Sequence, residues 1–573
     1  MGKRVLIVGG VAGGATAAAR LRRLDESAEI IIFERGNYIS YANCGLPYYI
    51  GGVITDKDDL ILQTPESFSR RFNIDVRVNS EVVKIDRSKR EVQVVDHTNR
   101  TEYTSKYDFL ILSPGAAPIV PHIKGADLER VFTLRTIPDT YKISDFIQNE
   151  HPRRAVIVGG GYIGMEMAEN LHRRGLEVEI VELADHVIGP LDAEMAAAVH
   201  RHIVKNGVGL HLKVGVEEIE NGLKVKLSNG ETLLADMVIL AVGIAPESKL
   251  ARDCGLEIGA SGGIKTDMRM KTSDERIYAV GDAVEVTDFV TSLPALIPLA
   301  SPANKQGRIA AENISGRATE YKATQGSAVI KVFDMTVAIT GANERALKRA
   351  GIPYEKVYTY GPSHASYYPD SKTMCIKTLF DKRNGRLLGA QITGYEGADK
   401  RCDVLATALR AGMTVSELTE LELCYAPPYS SAKDPVNMAG YVADNVVKGD
   451  HKIFHWHDVA SLDTRKVTLL DVRTSQEYRN GHIEGSINIE LDALRDRMHE
   501  IEKEKPVYVL CEIGLRGYIA CRILAQNGYD AYNLSGGYRL YNQLFPQKKK
   551  ETVQEFTSEA SPAQTRVIDS KDE

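Results

Sequence analysis

No stretch of this sequence approaches the ~18 consecutive apolar residues of a membrane helix. Neither sign of charge dominates: 71 Lys and Arg face 77 Asp and Glu, a net charge of −6. The first absence argues against a membrane span, and the second gives no electrostatic reason to expect nucleic acid or an anionic membrane as partner. Cysteine is sparse and irregularly spaced, seven in 573 residues, so no disulfide framework is expected and the compartment reads as reducing and cytoplasmic. The first strand-like run begins at Arg4, which does not read as a signal peptide. No metal site is expected. What remains, 43% hydrophobic and 26% charged residues with 48 glycines, is ordinary α/β material in roughly three to four domains by length.

Arg4–Val8 is a short aliphatic run. It leads into Gly9-Gly10-Val11-Ala12-Gly13-Gly14 and then an Ala-rich stretch over 15–24. This is strand, glycine turn and helix, with the helix N-terminus aimed at a pyrophosphate. Ile30–Phe33 makes the next strand, and Glu34 at its end stands where a carboxylate binds a ribose hydroxyl. The copy is imperfect, because Val11 replaces the middle glycine of G-x-G-x-x-G. A second copy is complete: Ala155–Val158 runs into Gly159, Gly161 and Gly164, then a helix, then Val178–Val181 ending in Glu182. Two such units imply two dinucleotides, which a purely structural protein does not need. Glu182 favours a free 2′-hydroxyl over a 2′-phosphate, and no Arg lies beside it, so NADH is expected over NADPH.

Two later segments join the first unit. Leu110–Leu112 is followed by Ser113-Pro114-Gly115, and Ile277–Val280 ends in Gly281-Asp282. The Asp282 carboxylate can bond a flavin's ribityl hydroxyls, and a helix starting near Pro302 can point its N-terminus at the ring system. Between these units lies Ser40-Tyr41-Ala42-Asn43-Cys44-Gly45-Leu46-Pro47-Tyr48. Here a single cysteine is expected to begin a helix whose N–H groups favour its thiolate.

These glycine turns, with Ser113-Pro114-Gly115, Gly281-Asp282 and the Cys44 stretch, resemble the flavoprotein pyridine nucleotide–disulfide oxidoreductases. Within them the resemblance is to the single-cysteine branch that includes coenzyme A-disulfide reductase, NADH oxidase and NADH peroxidase. Two tyrosine motifs carry the branch: His364-Ala365-Ser366-Tyr367-Tyr368-Pro369 and Tyr425-Ala426-Pro427-Pro428-Tyr429. The C-x4-C pair of the two-cysteine reductases is absent. The resemblance implies an α/β architecture of two Rossmann-like domains. One binds FAD (1–120 and 245–322) and one binds NAD(P)H (121–244), followed by an α+β dimerisation domain (323–450). It also implies a homodimer in which Cys44 is the redox centre and Tyr367 and Tyr425 arrive from across the interface to protonate a departing thiolate. A coenzyme A site would draw on Thr16, Arg20, Arg23, Ser40, Asn43, Arg71, Asn304 and Lys433. An oxidase or peroxidase needs no such cationic set, since oxygen and peroxide carry no phosphates. Cys375, Cys402 and Cys424 read as packing residues.

After Asp450 the chain starts again. Val507–Leu510 is a strand ending in Cys511-Glu512-Ile513-Gly514-Leu515-Arg516-Gly517, and Leu534-Ser535-Gly536-Gly537-Tyr538 follows. A cysteine in such a loop can be ringed by backbone N–H groups that stabilise a thiolate or a persulfide. With Gly481-His482-Ile483 upstream, the segment 454–545 resembles a single rhodanese domain. The resemblance makes Cys511 a sulfane-sulfur carrier, fed by a sulfane-sulfur donor, and Arg516 a residue that steadies the loop or binds an anionic substrate. The expected substrate is coenzyme A disulfide, coenzyme A persulfide or polysulfide; the alternative is an NADH oxidase or peroxidase that cycles a Cys44 sulfenic acid, with the rhodanese-like domain as a docking or sensing module. Residues 546–573, without apolar periodicity, read as a disordered tail.

Overall fold

The computed structural model describes residues 2–546, so the tail expected beyond the last domain lies, from residue 547 on, outside the described residues. Parallel strands come first because short aliphatic runs alternate with amphipathic helices. Ile277–Ala279, Phe109–Leu112, Arg4–Val8, Glu29–Phe33 and Asp75–Arg77 form one five-stranded sheet in that order. Gly209–Leu212, Glu177–Glu182, Arg154–Val158, Met237–Leu240 and Val131–Phe132 form a second. Central strands of both are buried on both faces: Val5, Leu6, Ile7, Val156 and Ile157 are wholly inaccessible. That is why they are apolar runs rather than alternating ones. An antiparallel pair, Ala116–Pro118 with Ile244–Pro246, carries the chain between the two lobes.

The third sheet is antiparallel, in the order Ala328–Val332, Met335–Gly341, Leu387–Gly394, Thr373–Asp381, Tyr354–Pro362. Helices Ala398–Ala411 and Pro435–Val447 share an apolar core with it. The fourth is parallel again: Ile453–Phe454, Ala531–Leu534, Val507–Leu510, Thr468–Asp471, Ile487–Asn488. Among the described residues no helix is long and apolar enough to cross a membrane.

One buried charge cluster ties these units together. Lys377, on the fourth strand of the antiparallel sheet, is fully inaccessible. Its Nζ reaches Asp192 and Glu344 at 2.6 Å each, and also Glu194. Asp192 and Glu194 open helix Ala193–Lys205 of the second lobe. Glu344 also binds Lys356 at 2.7 Å and accepts from the Tyr354 hydroxyl at 2.6 Å. The Tyr358 hydroxyl donates to Glu194 at 2.7 Å, while the Tyr358 amide donates to Ser535 Oγ of the C-terminal domain at 3.2 Å. Three carboxylates hold the Lys377 pKa above its ordinary value against burial, and Lys377 with Lys356 pulls Glu344 far below its own. The three carboxylates lie within 4.8 Å of one another, a metal-like spacing, yet they already share Lys377.

Replacing Lys377 by Met should therefore strand buried carboxylates without their main counter-charge, at a cost of about 3–5 kcal/mol. Thermal unfolding of the variant should begin well below that of the parent; an unchanged melting curve would show that the cluster does not hold the lobes.

Candidate functional site

The two glycine turns are built alike. Gly9 and Gly159 have φ of +97° and +106°. A Cβ there would lie 2.1 Å from the Ser113 carbonyl oxygen and 2.3 Å from that of Ala241, so a side chain is excluded both by conformation and by the neighbouring strand. Gly14 and Gly164 bring helix onto strand: a Cβ would meet the Gly9 or Gly159 carbonyl oxygen within 2.0 Å. The middle position separates the copies. In front of Gly161 nothing lies within 4 Å of a built Cβ, the open approach that a pyrophosphate needs. In the first copy Val11 stands there, and Ala12 takes a φ of +36°. Gly13 packs instead against Val280 and Ser113.

Both acidic residues are fixed by backbone. Glu34 accepts from the amides of Gly10 and Gly36, each at 2.9 Å. Glu182 accepts from those of Gly160 and Ala184, each at 2.7 Å. Each carboxylate is thus oriented with lone pairs left for a ribose hydroxyl. Asp282 is half-buried with its pKa raised by that burial, and it has no hydrogen-bond donor among the described residues. A polyhydroxyl chain such as a flavin's ribityl arm would supply one. The Gly281 amide next to it donates to the buried Gln306 at 2.7 Å, on helix Ala300–Ile314. Gly115 lies beside Arg135, which binds the Pro114 carbonyl oxygen at 3.1 Å and Glu247 at 2.9 Å. The residues fit an FAD in the first lobe and a nicotinamide dinucleotide in the second.

Cys44 lies in a single 3₁₀ turn, Asn43–Gly45, ahead of a five-residue helix, Leu46–Ile50. The expectation of a helix-stabilised thiolate is corrected here. Although Cys44 is an exposed residue, crowding around its sulfur and the carboxylates of Glu166 and Asp282 push its thiol above the ordinary value. Glu166 belongs to the helix after the second glycine turn, and burial pushes its carboxyl up to about 7. The Tyr48 hydroxyl donates to it at 3.4 Å. Cys44 therefore feels one acidic group from each dinucleotide lobe.

On the first helix, Gly13–Leu24, Thr16, Arg20 and Arg23 fall at i, i+4 and i+7, one face. Thr16 donates to Asn304 Oδ1 at 2.6 Å across to the neighbouring helix. Arg20 is engaged by Glu312, so its charge is already answered. Arg23, Arg71, Asn43 and Lys433 are exposed, and Ser40 sits at φ +45° with its amide on the Gly10 carbonyl oxygen. Arg22 is buried and clamps four backbone carbonyls, including those of Phe72 and Asn73. Tyr367 and Tyr425, 58 residues apart, share a hydroxyl–hydroxyl bond of 2.8 Å, and both are exposed. Cys375 and Cys402 are buried, but Cys424 is exposed. The packing expectation fails for Cys424 because it lies in an irregular segment beside Tyr425, outside any helix or strand.

Cys511 is wholly buried between strand Val507–Leu510 and helix Leu515–Gln526. Its Sγ accepts from the Gly514 amide at 3.1 Å. Burial pushes its thiol up, and the amides of Gly517, Ile513 and Gly514 and the charge of Arg516 offset part of that rise. Arg516 donates to Glu477 through two bonds of 2.7 Å. Glu166, Arg135, Glu247 and Gln306 escape sequence reasoning, since nothing local marks them. Glu477 is different, because Thr474-x-x-Glu477 is a legible capping box.

The chain belongs to the pyridine nucleotide-disulphide oxidoreductase family, whose model matches residues 3–307. The family's dimerisation domain matches 327–435, and a rhodanese-like domain matches 459–544. Among curated proteins it resembles the coenzyme A disulfide reductase of Staphylococcus aureus (strain JH9), 37% identical over 441 residues, which cover 77% of this chain and 99% of the relative. Among solved structures it resembles reduced Bacillus anthracis CoADR-RHD, with TM-score 0.94, 51% identity, 95% of this chain and 99% of that one. It also resembles an NAD-dependent persulfide reductase from A. fulgidus, with TM-score 0.88, 38% identity, 94% of this chain and 100% of that one.

Because an ionised Glu166 opposes ionisation of Cys44, Glu166→Gln should lower the Cys44 thiol pKa. The pH profile of alkylation at Cys44, followed by peptide mass spectrometry, should shift to lower pH; a shift upward or none would remove Glu166 from the thiol's environment.

Proposed function

We propose that the protein uses NAD(P)H to reduce coenzyme A disulfide or coenzyme A persulfide at Cys44, with Cys511 carrying sulfane sulfur. The observation that carries this reading is that Cys44 alone feels carboxylates from both dinucleotide lobes, Asp282 and Glu166. FAD, when bound, supplies the path by which two electrons reach sulfur. The Cys44 thiolate attacks one sulfur of the substrate disulfide, a coenzyme A thiolate leaves, and a mixed disulfide remains; two electrons then release the second thiolate and restore Cys44. Tyr367 and Tyr425, brought together by their shared bond, serve as proton donors to the departing thiolate across a homodimer interface. Thr16, Arg20, Arg23, Ser40, Asn43, Arg71, Asn304 and Lys433 line the coenzyme A site. Arg20 contributes there only as part of its pair with Glu312. Glu182, with both oxygens anchored, favours NADH. The domain limits at 120, 244, 322 and 450, a 454–545 sulfur-transfer domain and a cytoplasmic location complete the proposal.

Cys44→Ser should abolish NADH-driven reduction of coenzyme A disulfide by at least ~10³-fold, as loss of a nucleophile does, without loss of bound FAD. Cys511→Ser should keep coenzyme A disulfide reduction and lose sulfur transfer from persulfide donors. Retention of both activities in the second variant would contradict the carrier role. Glu182→Ala should raise the NADPH-to-NADH ratio of kcat/KM about tenfold by removing repulsion of a 2′-phosphate; an unmoved ratio would free Glu182 of that role.

A further inference from the structure

Charge around the Cys511 loop is cancelled pair by pair. Arg516 is held by Glu477 through both arms of its fork. Arg473, itself buried, binds Asp471 at 2.8 Å and faces Glu512 at 3.6 Å, with the Tyr538 ring 3.9 Å from its guanidinium carbon. Arg539 meets Glu512 at 3.3 Å. Three guanidinium groups therefore stand against three carboxylates, and the second residue of the loop is itself acidic. The Arg516 fork holds the Glu477 pKa down at about 2, so this pair stays charged and closed at working pH. On its other side the loop is apolar: Ile513 and Leu515, with Tyr358, Met438, Val442 and Ile453, line a cavity of about 180 Å³ between the C-terminal and antiparallel domains.

A sulfur oxyanion such as thiosulfate brings two negative charges to a cysteine that must itself be a thiolate. Such an encounter needs a free cation beside the sulfur, and the guanidinium nearest in sequence is spoken for. We propose that Glu477 sets the donor specificity of Cys511: by closing the Arg516 fork it turns away sulfur oxyanions, and Cys511 takes sulfur from persulfides borne on an uncharged, partly apolar arm. This rests on the reading of Cys511 as a sulfur carrier. In the step, the Cys511 thiolate attacks the outer sulfur of R–S–S⁻. The S–S bond breaks, its electron pair leaves with R–S⁻, and Cys511 keeps the sulfur as Cys–S–S⁻.

The test uses the full-length, FAD-loaded protein, with cyanide as acceptor and thiocyanate as readout. The donors are thiosulfate and the persulfide of N-acetylcysteamine. Glu477→Gln keeps an acceptor for the Thr474 amide but loses the charge, and Glu477→Asp withdraws the carboxylate from the fork. Circular dichroism and thermal unfolding matching the parent verify that each variant is folded. Both variants should raise the thiosulfate-to-persulfide ratio of kcat/KM at least tenfold, chiefly through a lower KM for thiosulfate, and Glu477→Gln combined with Arg516→Gln should cancel the gain. A parent enzyme that uses thiosulfate as well as the persulfide, or a ratio that stays put in both variants, would overturn the proposal. Equal thiocyanate from the parent and from Cys511→Ser with either donor would instead overturn the carrier reading beneath it, and the proposal with it.

Discussion

Everything in this molecule depends on a helix N-terminus being allowed to approach the end of a parallel strand, and the chain makes that approach twice. At Gly14 and Gly164 the carbonyl oxygen of the turn's first glycine lies where a Cβ would be, so only hydrogen permits the packing. The cost is backbone freedom lost at glycine; the return is a ring of amides, two of which hold Glu34 and Glu182 in place. The electrostatic partners of Cys44 are Asp282 from one lobe and Glu166 from the other.

The two reactive sulfurs meet the same obstacle in different settings. Cys44 is an exposed residue whose sulfur is partly desolvated and feels the charges of Glu166 and Asp282, whereas Cys511 is fully enclosed and relieved by amides. In both, desolvation opposes the thiolate. Under the proposed function, the first would meet a large substrate arriving from solvent. Under the same proposal, the second would exchange a single sulfur atom. The Lys377 cluster links the second lobe to the C-terminal domain, its Tyr358 touching both Glu194 and Ser535. A buried ion cluster seldom adds net stability over apolar packing, but breaking it is expensive, and that asymmetry suits a joint between domains that must keep one arrangement.

Much of this was legible in the sequence. The two glycine turns, their terminal Glu34 and Glu182, and the Cys511 loop are local patterns whose chemistry follows from spacing. Two of the longest strands were not: Tyr354–Pro362 and Thr373–Asp381 carry Lys356 and Lys377, which break the apolar signal because their charges are answered by residues far away in sequence. The same reason hides Glu166 and the Arg135–Glu247 pair. Cys44 shows the opposite failure. A helix N-terminus was expected to favour its thiolate, but the helix is five residues long, and burial of the sulfur, reinforced by carboxylates from distant segments, pushes the thiol pKa up.

The most direct measurement is anaerobic oxidation of NADH by the FAD-loaded protein. It is followed in turn with coenzyme A disulfide, coenzyme A persulfide and polysulfide, against an aerobic control without a sulfur substrate. Fast turnover with the coenzyme A species and almost none with oxygen is the predicted result. Fast turnover with oxygen alone would contradict it, and would leave Thr16, Arg20 and Arg23 as an ordinary solvated helix face.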